Sequence, residues 1–214
     1  MPVSETNLAS LLCSRLCHDL LSPVGALNNG LELLADETDP EMRRRCIDLL
    51  EDSARAAAQK LKYYRLAFGA AGGFDDHVDV NEAHQLIIGL IAGKSSTSLQ
   101  WDVAAETLPK AAIKLLLNLV LIANEALVRG GDLAVAAEES AGRIEIVVRA
   151  NGQKIAADSH ILAMLAGGEG SDEEELNPRT AAAYLSRAIA EEHDGAVQVA
   201  LQDDSLVLGA MMAA

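Results

Sequence analysis

The sequence predicts an α+β protein, a long helical hairpin followed by one sheet covered with helices. Three observations carry this prediction. Leucines at 8, 12, 16, 20, 27, 31 and 34 recur in threes and fours, with one double step bridged by Val24, which is the period of an amphipathic helix. A second such pattern runs through Met42, Cys46, Leu49, Ser53, Ala57, Leu61, Tyr64 and Phe68. Beyond the glycines near position 70, short alternating runs interleave with helical ones, as in a sheet layered against helices. Half of the 214 residues are hydrophobic but only 3% are aromatic, so the core must be built from Leu, Ile, Val and Ala, and a disordered chain is excluded.

Between the first two patterns lies Asp36-Glu37-Thr38-Asp39-Pro40-Glu41. Asp39 fits an N-cap, and Pro40 fits the first helical position, where a missing N–H costs nothing. Residues 1–70 therefore read as an antiparallel hairpin. A lone hairpin leaves its apolar stripes in water. A second copy across a two-fold axis would bury them, so a homodimeric four-helix bundle is expected. Packing against the rest of the same chain is the other solution.

Residues 75–214 form the second expected unit. Helices are predicted over 80–91, 108–128 and 180–192, the last ended by Gly195. Strands are predicted over 99–103, 133–137, 144–148, 196–201 and 206–212, with a turn at Ser140-Ala141-Gly142. The acidic run 170–175 reads as a solvated loop.

A net charge of −15 opposes a phosphate backbone, so nucleic acid is not an expected partner. The dense basic triplet Arg43, Arg44, Arg45 reads as a solvated helix face. Three cysteines, with Cys13 and Cys17 one helical turn apart and Cys46 beyond, suit small core residues in a reducing cytoplasm rather than disulfides or a metal site. The N-terminal MPVSETN carries no basic stretch and no secretory signal. The most apolar stretch, 111–127, is interrupted by Lys114, Asn118, Asn124 and Glu125. It reads as a buried helix, and no membrane association is expected.

His18 lies mid-helix in Cys17-His18-Asp19-Leu20-Leu21-Ser22-Pro23. Its helix face carries Ser14, Arg15, Ser22, Gly25 and Asn29, all polar or small, so the imidazole is expected to be exposed and within reach of another protein. Imidazole is neutral and nucleophilic near pH 7, and its phosphoramidate is labile enough to pass the group on. Asp19 is placed to hold the proton of one ring nitrogen and free the other for attack. Pro23 should weaken the helix ladder nearby.

The stretch His18-Asp19-Leu20-Leu21-Ser22-Pro23 resembles the H-box of sensor histidine kinases, usually written H-E-L-R-T-P, with Leu21 in place of the basic residue. The kinase nucleotide boxes have lost their key residues. Asn118-Leu119-Val120 resembles the start of the N-box, yet the Mg²⁺-binding Asn is Ile122, and Asn124 lies two residues too far. Ala150-Asn151-Gly152-Gln153-Lys154-Ile155 follows a strand as the D-x-G-x-G box does, with Ala150 for the Asp and Lys154 for the second Gly. Where the phosphate loop belongs the chain reads Arg179-Thr180-Ala181-Ala182-Ala183-Tyr184. Glu191-Glu192-His193-Asp194-Gly195 resembles the scaffold motif E-x-H-G-G, so His193 counts as scaffold. Without the adenine-binding Asp, the metal ligand and the glycines, ATP binding is not expected.

With Arg15-Leu16-Cys17-His18-Asp19, Leu31-Glu32-Leu33-Leu34 and Arg65-Leu66-Ala67-Phe68-Gly69-Ala70, the whole pattern resembles the ChpT family of alphaproteobacterial histidine phosphotransferases. That resemblance implies a dimeric hairpin followed by a Bergerat-type (GHKL-like) α/β sandwich without a working ATP site. It also implies phosphoryl shuttling through His18. The partners would be the receiver domain of a hybrid histidine kinase and the receiver domains of CtrA-like response regulators, docking near Ser14, Arg15, Ser22 and Gly25. No cofactor or metal of its own is implied, the Mg²⁺ belonging to the receiver. Two other readings stay open at this point: a diverged ATP-dependent kinase, and a non-catalytic dimeric docking module for response regulators.

Overall fold

The computed structural model describes residues 4–69, 76–92, 96–167 and 176–214. The expected unit boundary after position 70 and the acidic run 170–175 lie outside them.

Helix α1, Glu5–Asp36, starts at Ser4, whose side chain accepts a hydrogen bond from the Asn7 backbone N–H at 3.2 Å. Helix α2, Pro40–Ala67, starts as the sequence predicts, with Asp39 as N-cap and Pro40 in the first turn. The turn between them is tied by Arg43, which donates to the carbonyls of Leu34 and Glu37. Within the basic triplet, then, Arg43 closes the hairpin and Arg45 pairs with Glu41 at 2.7 Å. The helices approach closely at Gly30, where a Cβ would meet Leu50 Cδ2 at 2.9 Å. Leu21, Leu31, Leu33, Ile47 and Leu61 remain exposed along the hairpin. Cys13 and Cys17 are exposed too, against the expectation of core positions, because the side of α1 turned inward carries Leu12, Arg15, Pro23 and Gly30 instead. Only Cys46 is buried.

The rest is a two-layer sandwich. Its elements are β1 His77–Asp79, α3 Val80–Ile91, β2 Thr97–Val103, β3 Thr107–Pro109, α4 Lys110–Ala126, β4 Gly131–Ser140 and β5 Arg143–Asn151. They continue as α5 Ser159–Ala166, α6 Ala181–Glu192, β6 Ala196–Leu201 and β7 Ser205–Ala213. The main sheet has the order β2-β4-β5-β7-β6, with β2 parallel to β4 and all other pairs antiparallel. Strand β5 shows how it is built. Ile144, Ile146, Val148 and Ala150 point into the core while Arg143, Glu145, Val147 and Arg149 face out. Ala141 and Gly142, both with positive φ, make the tight β4–β5 turn. Helix α4 is buried along nearly its whole length, as its apolar run requires.

Three elements escape the periodicity. The predicted helix 108–128 starts only at Lys110, because the residues of β3 pair with β1, Val78 opposite Leu108. Three-residue strands are too short to show a period. Helix α5 spans eight residues, capped by Asp158 and ended by Gly167 at φ 70°.

The hairpin is joined to the sandwich by core and by hydrogen bonds. Tyr63, Tyr64, Leu66 and Ala67 belong to the same buried cluster as α4 and the sheet. Tyr63 OH donates to the Leu117 carbonyl at 2.6 Å, and the Asn118 amide donates to the Ala67 carbonyl at 3.0 Å. Among the described residues no helix is long and apolar enough to cross a membrane.

Candidate functional site

Helix α1 presents His18 on its open face, with its side chain 81% exposed. His18 Nδ1 lies 3.1 Å from Asp19 Oδ1. A proton on Nδ1 donated to that carboxylate leaves Nε2 with its lone pair, directed away from Asp19. The other carboxylate oxygen, Oδ2, accepts from Arg15 Nε at 2.9 Å, one helical turn back, and from the hydroxyl of Tyr64 across the hairpin. Burial pushes the Asp19 carboxyl up. Hydrogen bonds from Tyr64, Arg15 and His18, together with the Arg15 charge, outweigh that and hold it below the usual carboxylate range. The Tyr64 phenol is pushed far up by burial and by the hydrogen bond and charge of Asp19, so it stays a neutral donor.

The backbone at this point is also supported from outside its own helix. Pro23, four residues after Asp19, has no N–H to offer the Asp19 carbonyl. Lys60 Nζ on α2 donates to that carbonyl at 3.0 Å. The weak point expected from Pro23 is thus bridged by a cation from the neighbouring helix.

Arg15 differs from the expectation of a partner-facing residue. It is only 7% exposed. Position 15 lies on the side of α1 turned toward the sandwich, where Arg15 pairs with Glu125 near the end of α4 and Nη1 lies 3.5 Å from the Arg179 carbonyl. A guanidinium buried there needs carboxylates around it. Desolvation opposes its charge, but Glu125 and Asp19 more than compensate and raise its pKa. The other expected docking residues form an open strip: Ser14 and Ser22 are exposed, and a Cβ on Gly25 would meet nothing within 4 Å.

Beside His18 a cavity of about 580 Å³ opens between α1 and the sandwich, bounded by Ser14, Arg15, Asp19, Glu125, Ile161 and Arg179. Of the positions aligned with the kinase boxes, Ile122 and Arg179 line this cavity. Ile122 is buried in α4, Ala150 is fully buried in β5, and Ala181 to Ala183 are packed into the first turn of α6. His193 Nδ1 lies 3.0 Å from the Ile189 carbonyl, a scaffold contact at the end of α6. Among the described residues no group of His, Cys, Asp and Glu is arranged to hold a metal.

Tyr64, Lys60 and Glu125 are brought to the site without having been singled out for it. Tyr64 reads in sequence as one more apolar-stripe position. The usable signal is Glu125, the one carboxylate of α4 and a candidate partner for a cation on another element.

A family model described as the histidine phosphotransferase C-terminal domain matches residues 80–205. The protein phosphotransferase ChpT of Brucella abortus (strain 2308) is 35% identical over 208 residues, 97% of each chain. The 1.7 Å structure of a bacterial phosphotransferase aligns with a TM-score of 0.85 and 34% identity, over 98% of each chain. At lower likeness, the histidine kinase AdeS of Acinetobacter baumannii aligns over 92% of this chain and 97% of its own, with 13% identity and a TM-score of 0.47.

Proposed function

Since this chain belongs to the histidine phosphotransferase family, we propose that His18 is its phosphoacceptor. It would pass a phosphoryl group between the receiver domain of a hybrid histidine kinase and those of CtrA-like response regulators. The observation that carries this reading is the exposed imidazole with Nδ1 engaged by Asp19 and Nε2 clear.

The chemistry is one substitution at phosphorus, run in either direction. The Nε2 lone pair attacks the phosphorus of a partner's aspartyl phosphate. A P–N bond forms as the P–O bond to the partner's carboxylate breaks, and that carboxylate leaves with the electron pair. Positive charge builds on the ring, and the Nδ1 proton bonded to ionised Asp19 stabilises it. The reverse attack by a second receiver's carboxylate regenerates the imidazole. The Mg²⁺ that screens the phosphoryl oxygens would sit in the receiver, so this chain supplies nucleophile, orientation and a docking face at Ser14, Ser22 and Gly25.

The same proposal includes a homodimer in the cytoplasm. Exposed Leu21, Leu31, Leu33 and Leu61 on the hairpin support it, being more apolar surface than a two-helix unit leaves in water without a partner. It also includes a sandwich that does not use ATP, supported by Ala150, Ile122 and the helical Ala181 to Ala183 at the nucleotide-box positions. Exposure to a phosphorylated receiver tests the central point. An acid-labile adduct whose ³¹P–¹⁵N coupling assigns it to His18 Nε2 is expected, and phosphate bound only through oxygen would exclude the mechanism.

A further inference from the structure

An exposed histidine in water is free to carry its proton on either nitrogen and favours Nε2. That tautomer cannot attack phosphorus through the outward nitrogen, Nε2, whose lone pair is taken up by the proton. The useful tautomer must be selected by something that holds Nδ1–H, and here that is one oxygen of Asp19. A free carboxylate rotates and offers either oxygen. This one has its other oxygen, Oδ2, fixed by two donors, Arg15 Nε and the Tyr64 hydroxyl.

Both donors are themselves immobilised. Tyr64 is 2% exposed, its ring stacked on Phe68 with centroids 4.9 Å apart and set edge-on to Tyr63. Arg15 has Nε on Asp19, Nη2 on Glu125 and Nη1 near the Arg179 carbonyl, so its fork spans α1, the end of α4 and the turn before α6. Removing the Glu125 carboxylate would free the Nη groups to close on both oxygens of Asp19, a two-pronged geometry that guanidinium favours and that takes Oδ1 away from His18.

On the reading of His18 as phosphoacceptor, we propose that Tyr64 and the Arg15–Glu125 ion pair are positioning residues that lock Asp19 against His18 Nδ1. The sandwich thereby sets the reactive tautomer of the hairpin's histidine. Its contribution is a held geometry delivered through Glu125, with no nucleotide involved.

The full-length protein, labelled with ¹⁵N in histidine, reports this directly through the shifts of the two imidazole nitrogens of His18 at a pH where the ring is neutral. Wild type is expected mainly as the Nδ1–H tautomer. Tyr64→Phe, which deletes only the hydroxyl, and Glu125→Ala should each lower the ratio of Nδ1–H to Nε2–H by about tenfold, the size of one hydrogen bond to a charged group. The first-order transfer rate at saturating receiver should fall in step, with receiver affinity unchanged. A tautomer ratio that stays at the wild-type value in both variants overturns the inference, whatever the rate does. The tautomer readout needs no phosphoryl donor. It therefore fails or succeeds separately from the assignment of His18 as acceptor, which phosphate transfer to His18→Ala tests.

Discussion

At the scale of single residues, the site is a chain of small electrostatic commitments ending on one imidazole. Asp19 is its centre, held below the usual carboxylate range once its hydrogen bonds from Tyr64, Arg15 and His18 outweigh its burial. A carboxyl depressed in the folded state contributes stability above its unfolded value of about 3.9 and loses it as pH falls through the lower folded value. Asp19→Asn should therefore be less stable than wild type in urea at neutral pH, with the gap closing as the pH drops below the ordinary carboxylate range. A gap that holds or widens in acid would mean that Asp19 is not stabilised as an anion. Some of this was legible beforehand. The open face of His18 follows from three-and-four spacing, and the resemblance of 18–23 to the H-box singles out His18 and Asp19. The burial of Arg15 does not, because its partner Glu125 is 110 residues away and spacing on one helix says nothing about a distant one.

At the scale of elements, the sequence speaks most clearly where a period runs long or a cap is chemically specific. Helix α2 begins at Pro40 behind Asp39 because a cap acceptor and a residue without N–H have few other places to go. Strands β1 and β3, three residues each, and helix α5 of eight carry too few turns of either period to be read. The hairpin keeps a conflict that a single chain does not resolve, since Leu31 is 57% and Leu61 52% exposed. Because neither is needed to bury the chain's own core, Leu31→Asp and Leu61→Asp should give folded monomers. The proposed homodimer should weaken by several kcal/mol in each, the cost of an unpaired carboxylate in an apolar contact. Sedimentation with circular dichroism checks both properties at once. A variant that dimerises as tightly as wild type would move the interface off this face.

At the scale of the whole molecule, hairpin and sandwich share one buried cluster, to which α4 contributes along most of its length. Asn118 donates its amide to the end of α2, and Ile122 and Ala150 pack into the core. On the proposal that the sandwich does not use ATP, each missing nucleotide contact is worth about 1–3 kcal/mol, and three together remove most of the roughly 8 kcal/mol of a micromolar complex. ATP with Mg²⁺ should therefore give no saturable signal in calorimetry or with a fluorescent analogue. Saturable binding below about 100 μM, lost on changes near Asn151, would return the molecule to nucleotide-using kinases.

In the proposed function, phosphate passes through His18. The most direct measurement follows radiolabelled phosphate from a phosphorylated receiver domain into wild type and His18→Ala side by side, with dimerisation and circular dichroism recorded for both. Because His18 is exposed and Ala suits a helix, the variant should fold and associate like wild type. Rapid labelling of wild type and none of His18→Ala is expected. Labelling of the variant at a wild-type rate would contradict that proposal.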